Sequence, residues 1–272
     1  MTLKQRLKAA VNRGLRPLGL EVRRIGSRDP RATMGGALEH ARRLGLAPQT
    51  VIDVGAAMGT PVLYEAFPEA RHLLIEPLTE YVPYLERIVN ALPRAEYILA
   101  AAAAQPGEVT IHVHPNLQGS SLYALSEPPG VAIVPRTVPA VTLDGVCAER
   151  GLPGPYLIKV DVQGAELDVL AGASSILNET EYVVLEVSLF KFLVEGPQLH
   201  DVVAYMKASG FVVYDLLGTL YRPLDGALAQ MDMAFVRENG LFRQHLAFAT
   251  TAQLEALYAR HTERYRRALN SK

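Results

Sequence analysis

Two charged side chains stand inside an apolar run, Tyr156-Leu157-Ile158-Lys159-Val160-Asp161. Lys159 and Asp161 are two residues apart, so on a strand they share one face. An apolar buried strand does not hold two charges without a use for them. The run continues as Val162-Gln163-Gly164-Ala165-Glu166. Three more acids stand in or beside short apolar runs: Asp53 in Val51-Ile52-Asp53-Val54, Glu76 after Ile75, and Glu186 between Leu185 and Val187. Asp53, Glu76, Asp161 and Glu186 together form a carboxylate rim that suits a cationic ligand.

After Asp53 comes Val54-Gly55-Ala56-Ala57-Met58-Gly59. Glycine tolerates left-handed dihedrals and close approach of a ligand. A helix starting near Thr60, with Pro61 in its first turn, would aim free N–H groups at that ligand. The pyrophosphate fingerprint G-x-G-x-x-G is incomplete, because Ala57 holds the middle position, and no G-x-x-x-x-G-K-[ST] loop occurs. The loop therefore fits a ligand smaller than a dinucleotide, although a plain strand-to-helix turn has similar glycines. Glu76 follows Asp53 by 23 residues. That is about the spacing at which an acid accepts both hydroxyls of a ribose. Loop and acid together point to a nucleoside.

The elements that position these residues alternate. Strands are expected at 51–54, 72–75, 97–101, 109–113, 156–160, 182–187, 211–214 and 233–236. Helices are expected at 62–67, 78–92, 165–170 and 199–208. Strand–helix alternation predicts an α/β fold with a mostly parallel sheet covered on both faces. Residues 115–137 are rich in Pro, Gly and Ser and read as one long loop, a candidate lid. Met1 to Leu20 places Leu3, Leu7, Val11, Leu15 and Leu18 on one helical stripe among basic residues. Peripheral membrane contact, docking on the chain's own body and docking on a second subunit are all open for it.

The composition is 49% hydrophobic and 20% charged, which excludes a disordered chain and a coiled coil. No apolar run approaches the roughly 18 residues of a membrane span. Cys147 is the one cysteine, so no disulfide forms within the chain, and a lone thiol fits a reducing, cytoplasmic setting. The net charge of −1 hides an asymmetry. Residues 1–31 hold nine Lys/Arg against Glu21 and Asp29, and residues 251–272 hold five against Glu255 and Glu263. The ends are thus +7 and +3, and residues 32–250 are −11. The acidic body, without tryptophan, argues against a nucleic-acid partner.

The segments 51–56, Ile75-Glu76-Pro77, Leu143-Asp144, 159–166 and Leu185-Glu186-Val187 resemble the FkbM family of S-adenosylmethionine-dependent methyltransferases. The resemblance runs from about Gln49 to Val236, and its most specific part is K-x-D-x-x-G-x-E. It implies a Rossmann-like class I fold, with seven strands, the last antiparallel, and helices on both faces. It divides the chain into a basic helical extension (1–48), a methyltransferase domain (49–240) and a basic C-terminal helical extension (241–272). It implies O-methyl transfer from S-adenosylmethionine to a hydroxyl of a sugar, glycan or natural product. A non-sugar acceptor, and cofactor binding without transfer, are the alternatives.

On this resemblance Asp53, Gly55, Ala56, Gly59, Glu76, Ala101, Ala102, Ser121 and Asp161 are the cofactor-binding candidates. Glu76 would hold the ribose, and Ala101 and Ala102 would border the adenine. Ser120 and Ser121 have contact with the cofactor carboxylate or the acceptor, or plain turn chemistry, open to them. Asp161 has two open roles: binding the methionine amino group, or taking the acceptor proton. Asp161 and Glu186 are the catalytic candidates, with His112 or His114 as further bases. Lys159 reads as the partner of Glu186 or of another buried acid. A divalent metal on Asp161 and Glu186 has no dense ligand motif behind it, and no metal residue is assigned. Homo-oligomerisation is open.

Overall fold

Strand β1 (Thr50–Val54) is buried at every position, as its apolar sequence demands. The computed structural model describes residues 30–124 and 130–269; the basic stripe of Met1 to Leu20 lies outside them. On either side of β1, in parallel register, run β2 (Arg71–Ile75) and β7 (Tyr156–Val160). Outward from β2 lies β3 (Ala95–Ile98), and outward from β7 lies β8 (Thr180–Ser188), both parallel. β10 (Leu228–Arg237) then pairs antiparallel with β8 and with the edge strand β9 (Phe211–Tyr221). The order is β3-β2-β1-β7-β8-β10-β9. This is the seven-stranded Rossmann-like sheet that the resemblance implies, with its last strand antiparallel.

Helices cover both faces. They are α1 (Met34–Arg43), α2 (Pro61–Ala66), α3 (Val82–Ala91), α4 (Leu143–Arg150), α5 (Glu166–Ala171) and α6 (Leu199–Ala208); α7 (Thr251–Leu269) follows the sheet. Pro61 opens α2, and Pro83 lies in the first turn of α3, where a missing N–H costs nothing. One core layer gathers Ile52, Leu73, Ile158, Val183 and Phe235; the other gathers Val51, Leu74, Leu157, Tyr182 and Val184. Each such side chain contributes roughly 1.5–3 kcal/mol on full burial. α1 precedes the expected domain, yet its Ala37, Leu38 and Ala41 are buried in the second layer.

Two expectations shift. The strand expected over 97–101 is two pieces: β3 stays in the main sheet, and β4 (Ala101–Ala102) leaves it. β4, β6 (Val134–Val141) and β5 (Gly107–Val113) form a second sheet in the order β4-β6-β5. The long loop expected over 115–137 therefore ends inside β6. Pro135 and Pro139 hide that strand from sequence reading. They are tolerated because β4 pairs only with Ala140 and Val141, leaving the rest of that side of β6 free. Ile111, Val113 and Val138 of the small sheet pack with Leu78, Tyr81 and Ala101 as a third apolar cluster. That cluster walls one side of the carboxyl end of the main sheet.

Candidate functional site

A cleft of about 330 Å³ opens where the carboxyl ends of β1, β2, β7 and β8 meet the small sheet. Strand order reverses at β1, and ligands of doubly wound sheets bind at such a point. The volume is at the lower end of small-molecule sites.

Gly55 follows β1 with φ +69°, and a β-carbon there would stand 1.9 Å from the carbonyl oxygen of Asp161. The close approach of two strand ends thus requires this glycine. Gly59 is favoured by its left-handed φ of +92°, which side-chain-bearing residues rarely adopt, and a β-carbon there would also press on the end of the Ile88 side chain. Ala57 is left-handed too, at φ 43°. Its N–H donates to Glu76 Oε2 at 2.9 Å, and Leu78 N–H donates to Oε1 at 3.0 Å. The Glu76 carboxylate, 4% exposed, is thereby fixed facing the cleft. Burial raises its pKa above the ordinary carboxylate value.

Lys159 is buried between two acids. Its Nζ lies 3.3 Å from Asp53 Oδ1 and 3.4 Å from Asp161 Oδ2. The second oxygen of Asp53 accepts the Tyr64 hydroxyl at 2.5 Å. Asp53 is 1% exposed, beneath the cleft rather than on its surface. Desolvation opposes the charge on Lys159, but the two carboxylates hold its pKa above the usual lysine value. The partner expected for Lys159 is thus Asp53 together with Asp161. Glu186 contacts Gln163 and Gln230 instead.

After Asp161 the chain turns sharply. Gln163 is left-handed at φ 54° and Gly164 at φ 99°. A non-glycine residue there is uncommon and calls for outside support. Glu166 Oε1 accepts the N–H groups of Val162 (3.3 Å) and Gly164 (2.9 Å), and the Ser121 hydroxyl donates to the Gln163 carbonyl at 2.6 Å. Burial pushes the Glu166 carboxyl up to about 7. The Gln163 amide nitrogen donates to Asp161 Oδ1 at 3.1 Å and to Glu186 Oε2 at 2.7 Å. Gln230 donates to the same Glu186 oxygen at 3.0 Å. Burial first, and then Asp161, Glu166 and Asp232, raise Glu186 to about 8. Asp232, opposite Glu186 on β10, is raised to about 6, first by burial and then by Asp161.

Of the expected residues, Gly55, Glu76, Ala101, Ala102, Asp161 and Glu186 line the cleft. Asp53, Ala56, Gly59 and Ser121 are not among the lining residues. Ser121 is 1% exposed and spends its hydroxyl on Gln163 O and Tyr123 N–H, while Ser120 faces the cleft. Neither His112 nor His114 is part of the lining. Gln163 and Asp232 were not singled out from the sequence. Asp232 had a signal, a lone acid between Met231 and Met233 in an apolar run; Gln163 had none beyond its place in the motif. Among the described residues no three His, Cys, Asp or Glu side chains are arranged to hold a metal ion. No described helix is long and apolar enough to cross a membrane.

The family described as the methyltransferase FkbM domain matches residues 53–213. A stretch of 54 residues is 44% identical to the 2-O-methyltransferase NoeI of Sinorhizobium fredii. That match spans 20% of this chain and 22% of the relative's length. Among solved structures, magnesium protoporphyrin IX methyltransferase of Synechocystis aligns with a TM-score of 0.40 at 12% identity, over 87% of this chain and 98% of that one. The 1,6-didemethyltoxoflavin-N1-methyltransferase of Burkholderia thailandensis also gives 0.40 at 12% identity, over 87% and 91%.

Proposed function

Because the chain belongs to the FkbM methyltransferase family, we propose that it transfers a methyl group from S-adenosylmethionine to a hydroxyl oxygen of a sugar-bearing acceptor. The observation that carries this reading is the pair of oriented carboxylates, Glu76 and Glu186, facing one cleft. The cleft's own residues fit the cofactor. Glu76 keeps lone pairs free on both oxygens for the two ribose hydroxyls. Ala101 and Ala102 leave room for a flat base, with Leu78, Tyr81 and Ile111 as apolar walls. The Asp161 side chain, 34% exposed beside Lys159, offers an oxygen to the methionine ammonium. The excess of carboxylates favours a cation.

Bound there, S-adenosylmethionine would supply an electrophilic methyl that an acceptor oxygen takes as the carbon–sulfur bond breaks and its electron pair stays on sulfur. The protein has to align the acceptor and take its proton. Glu186 is the proton acceptor in this reading. Its position is fixed by two amides, and its pKa near neutrality suits a general base. Asp161, tied to Lys159, keeps the binding role. The hydroxyl acceptor is supported by the partial match to a 2-O-methyltransferase, and the sugar by the family resemblance of the sequence. The protein incubated with methyl-labelled S-adenosylmethionine and a panel of glycosides should yield labelled ether. Cofactor binding with no transfer to any acceptor would leave the non-catalytic reading in its place.

A further inference from the structure

An acceptor whose hydroxyl reaches Glu186 must rest its remaining atoms outside the cleft. β8 ends at Ser188, and the chain leaving it runs past the carboxyl edge of the sheet. Phe190 is four residues beyond Glu186, within about 14 Å along the chain. Its ring lies 5.8 Å from that of Phe192, tilted by 41°. The guanidinium of Arg222, at the turn between β9 and β10, covers the Phe190 ring at 4.0 Å. Arg222 is itself held by Asp225, with Nε 2.7 Å from Oδ1. Phe192 is left 37% exposed.

This aromatic step is fastened to the catalytic end of the sheet. Leu193, 8% exposed, fills the space over Gly164, where a β-carbon would stand 1.9 Å from its Cδ1. Leu189 N–H donates to Ala229 O at 2.8 Å, and Val194 N–H donates to Ala124 O at 3.1 Å. Gln230, which holds Glu186, reaches Ser188 as well. The step is thus built on the turn that carries Gln163 and on the strand that carries Glu186.

We propose that Phe190, Phe192 and Arg222 form the acceptor subsite, and that it takes a neutral sugar ring stacked on Phe192; the proposal rests on the methyltransferase reading above. A pyranose has one face of C–H groups, which suits the negative face of an aromatic ring, and a rim of hydroxyls that requires polar neighbours. The Asp225 carboxylate, bonded to the Arg222 that covers Phe190, is such a polar group. Because Asp225 already pairs with Arg222, the guanidinium over Phe190 is not a free cation for a phosphate or carboxylate.

The test uses the whole chain saturated with S-adenosylhomocysteine, observed by saturation-transfer NMR with the methyl glycosides of neutral hexoses and N-acetylhexosamines as probes. The wild type should saturate the ring C–H protons of at least one glycoside. Phe192→Ala should reduce that signal at least threefold and raise the acceptor KM at least tenfold, whereas Phe192→Tyr should retain both. Calorimetric affinity for S-adenosylmethionine should change less than twofold in either variant. No transfer of saturation to any glycoside, or equal signals in wild type and Phe192→Ala, would overturn the subsite. Failure of the methyltransferase reading would show separately, as absence of cofactor binding by the wild type or as binding of a glycoside with no methyl transfer to it.

Discussion

Glu186 and Asp161 share the Gln163 amide, yet their other neighbours divide the work between them. Asp161 is paired with Lys159, while Glu186 has two neutral amides and the nearby charges of Asp161, Glu166 and Asp232. Replacing Glu186 by Gln removes the proposed proton acceptor and keeps the shape. The turnover number should fall by roughly 10²–10⁴-fold, with cofactor affinity nearly unchanged, in a labelled-methyl assay. In the wild type, kcat/KM should rise with pH and level off above about 8, since the carboxyl must be deprotonated to act. That limb should disappear in Glu186→Gln. Glu166 carries a second pH prediction. Burial raises its folded pKa to about 7, above the ordinary carboxylate value of 4.5. The stabilisation linked to its proton is full below about 4.5 and is lost as pH rises through 7, an effect of order 3 kcal/mol. The melting temperature of Glu166→Gln should vary less over that window than that of the wild type.

At the scale of elements, two strand ends meet at Gly55. Gly55→Ala forces a side chain into the Asp161 carbonyl at a left-handed φ. It should lower stability by about 1–3 kcal/mol or more in urea unfolding. β1, β2, β7 and β8 are legible in the sequence because strands buried on both faces read as unbroken apolar runs. Glu76, Asp161 and Glu186 are legible for the same reason, as charges where an apolar run has no use for them. β6 is not legible, because its exposed, proline-bearing sequence has neither alternation nor an apolar run. Nor is the second half of β9 with its Gly218, which pairs along β10 with several register shifts. The hydrogen-bond partner of Ser121 is not legible for a related reason. Its segment reads as loop, while its hydroxyl is drawn to the strained carbonyl of Gln163, 42 residues away.

At the scale of the molecule, the charge split acquires a location. The −11 of residues 32–250 includes the five acids around Lys159 and Glu186: Asp53, Asp161, Glu166, Glu186 and Asp232. Part of the basic N-terminal share is also placed, since Arg31 bonds Asp215 on β9 and lies over the Tyr214 ring at 5.3 Å. A cationic ligand that binds only the folded chain must stabilise the whole. S-adenosylmethionine at a hundredfold excess over its Kd should add about 2.7 kcal/mol, or roughly 5–10 °C in Tm. The most direct measurement is a calorimetric titration of S-adenosylmethionine into the wild type and into Glu76→Ala, each first shown to be folded by its thermal melt. One site per chain is expected, with affinity at least tenfold weaker in Glu76→Ala, as loss of a charged hydrogen-bond acceptor implies. No binding by the wild type, or equal affinity in the two proteins, would contradict a cofactor held at this cleft by Glu76.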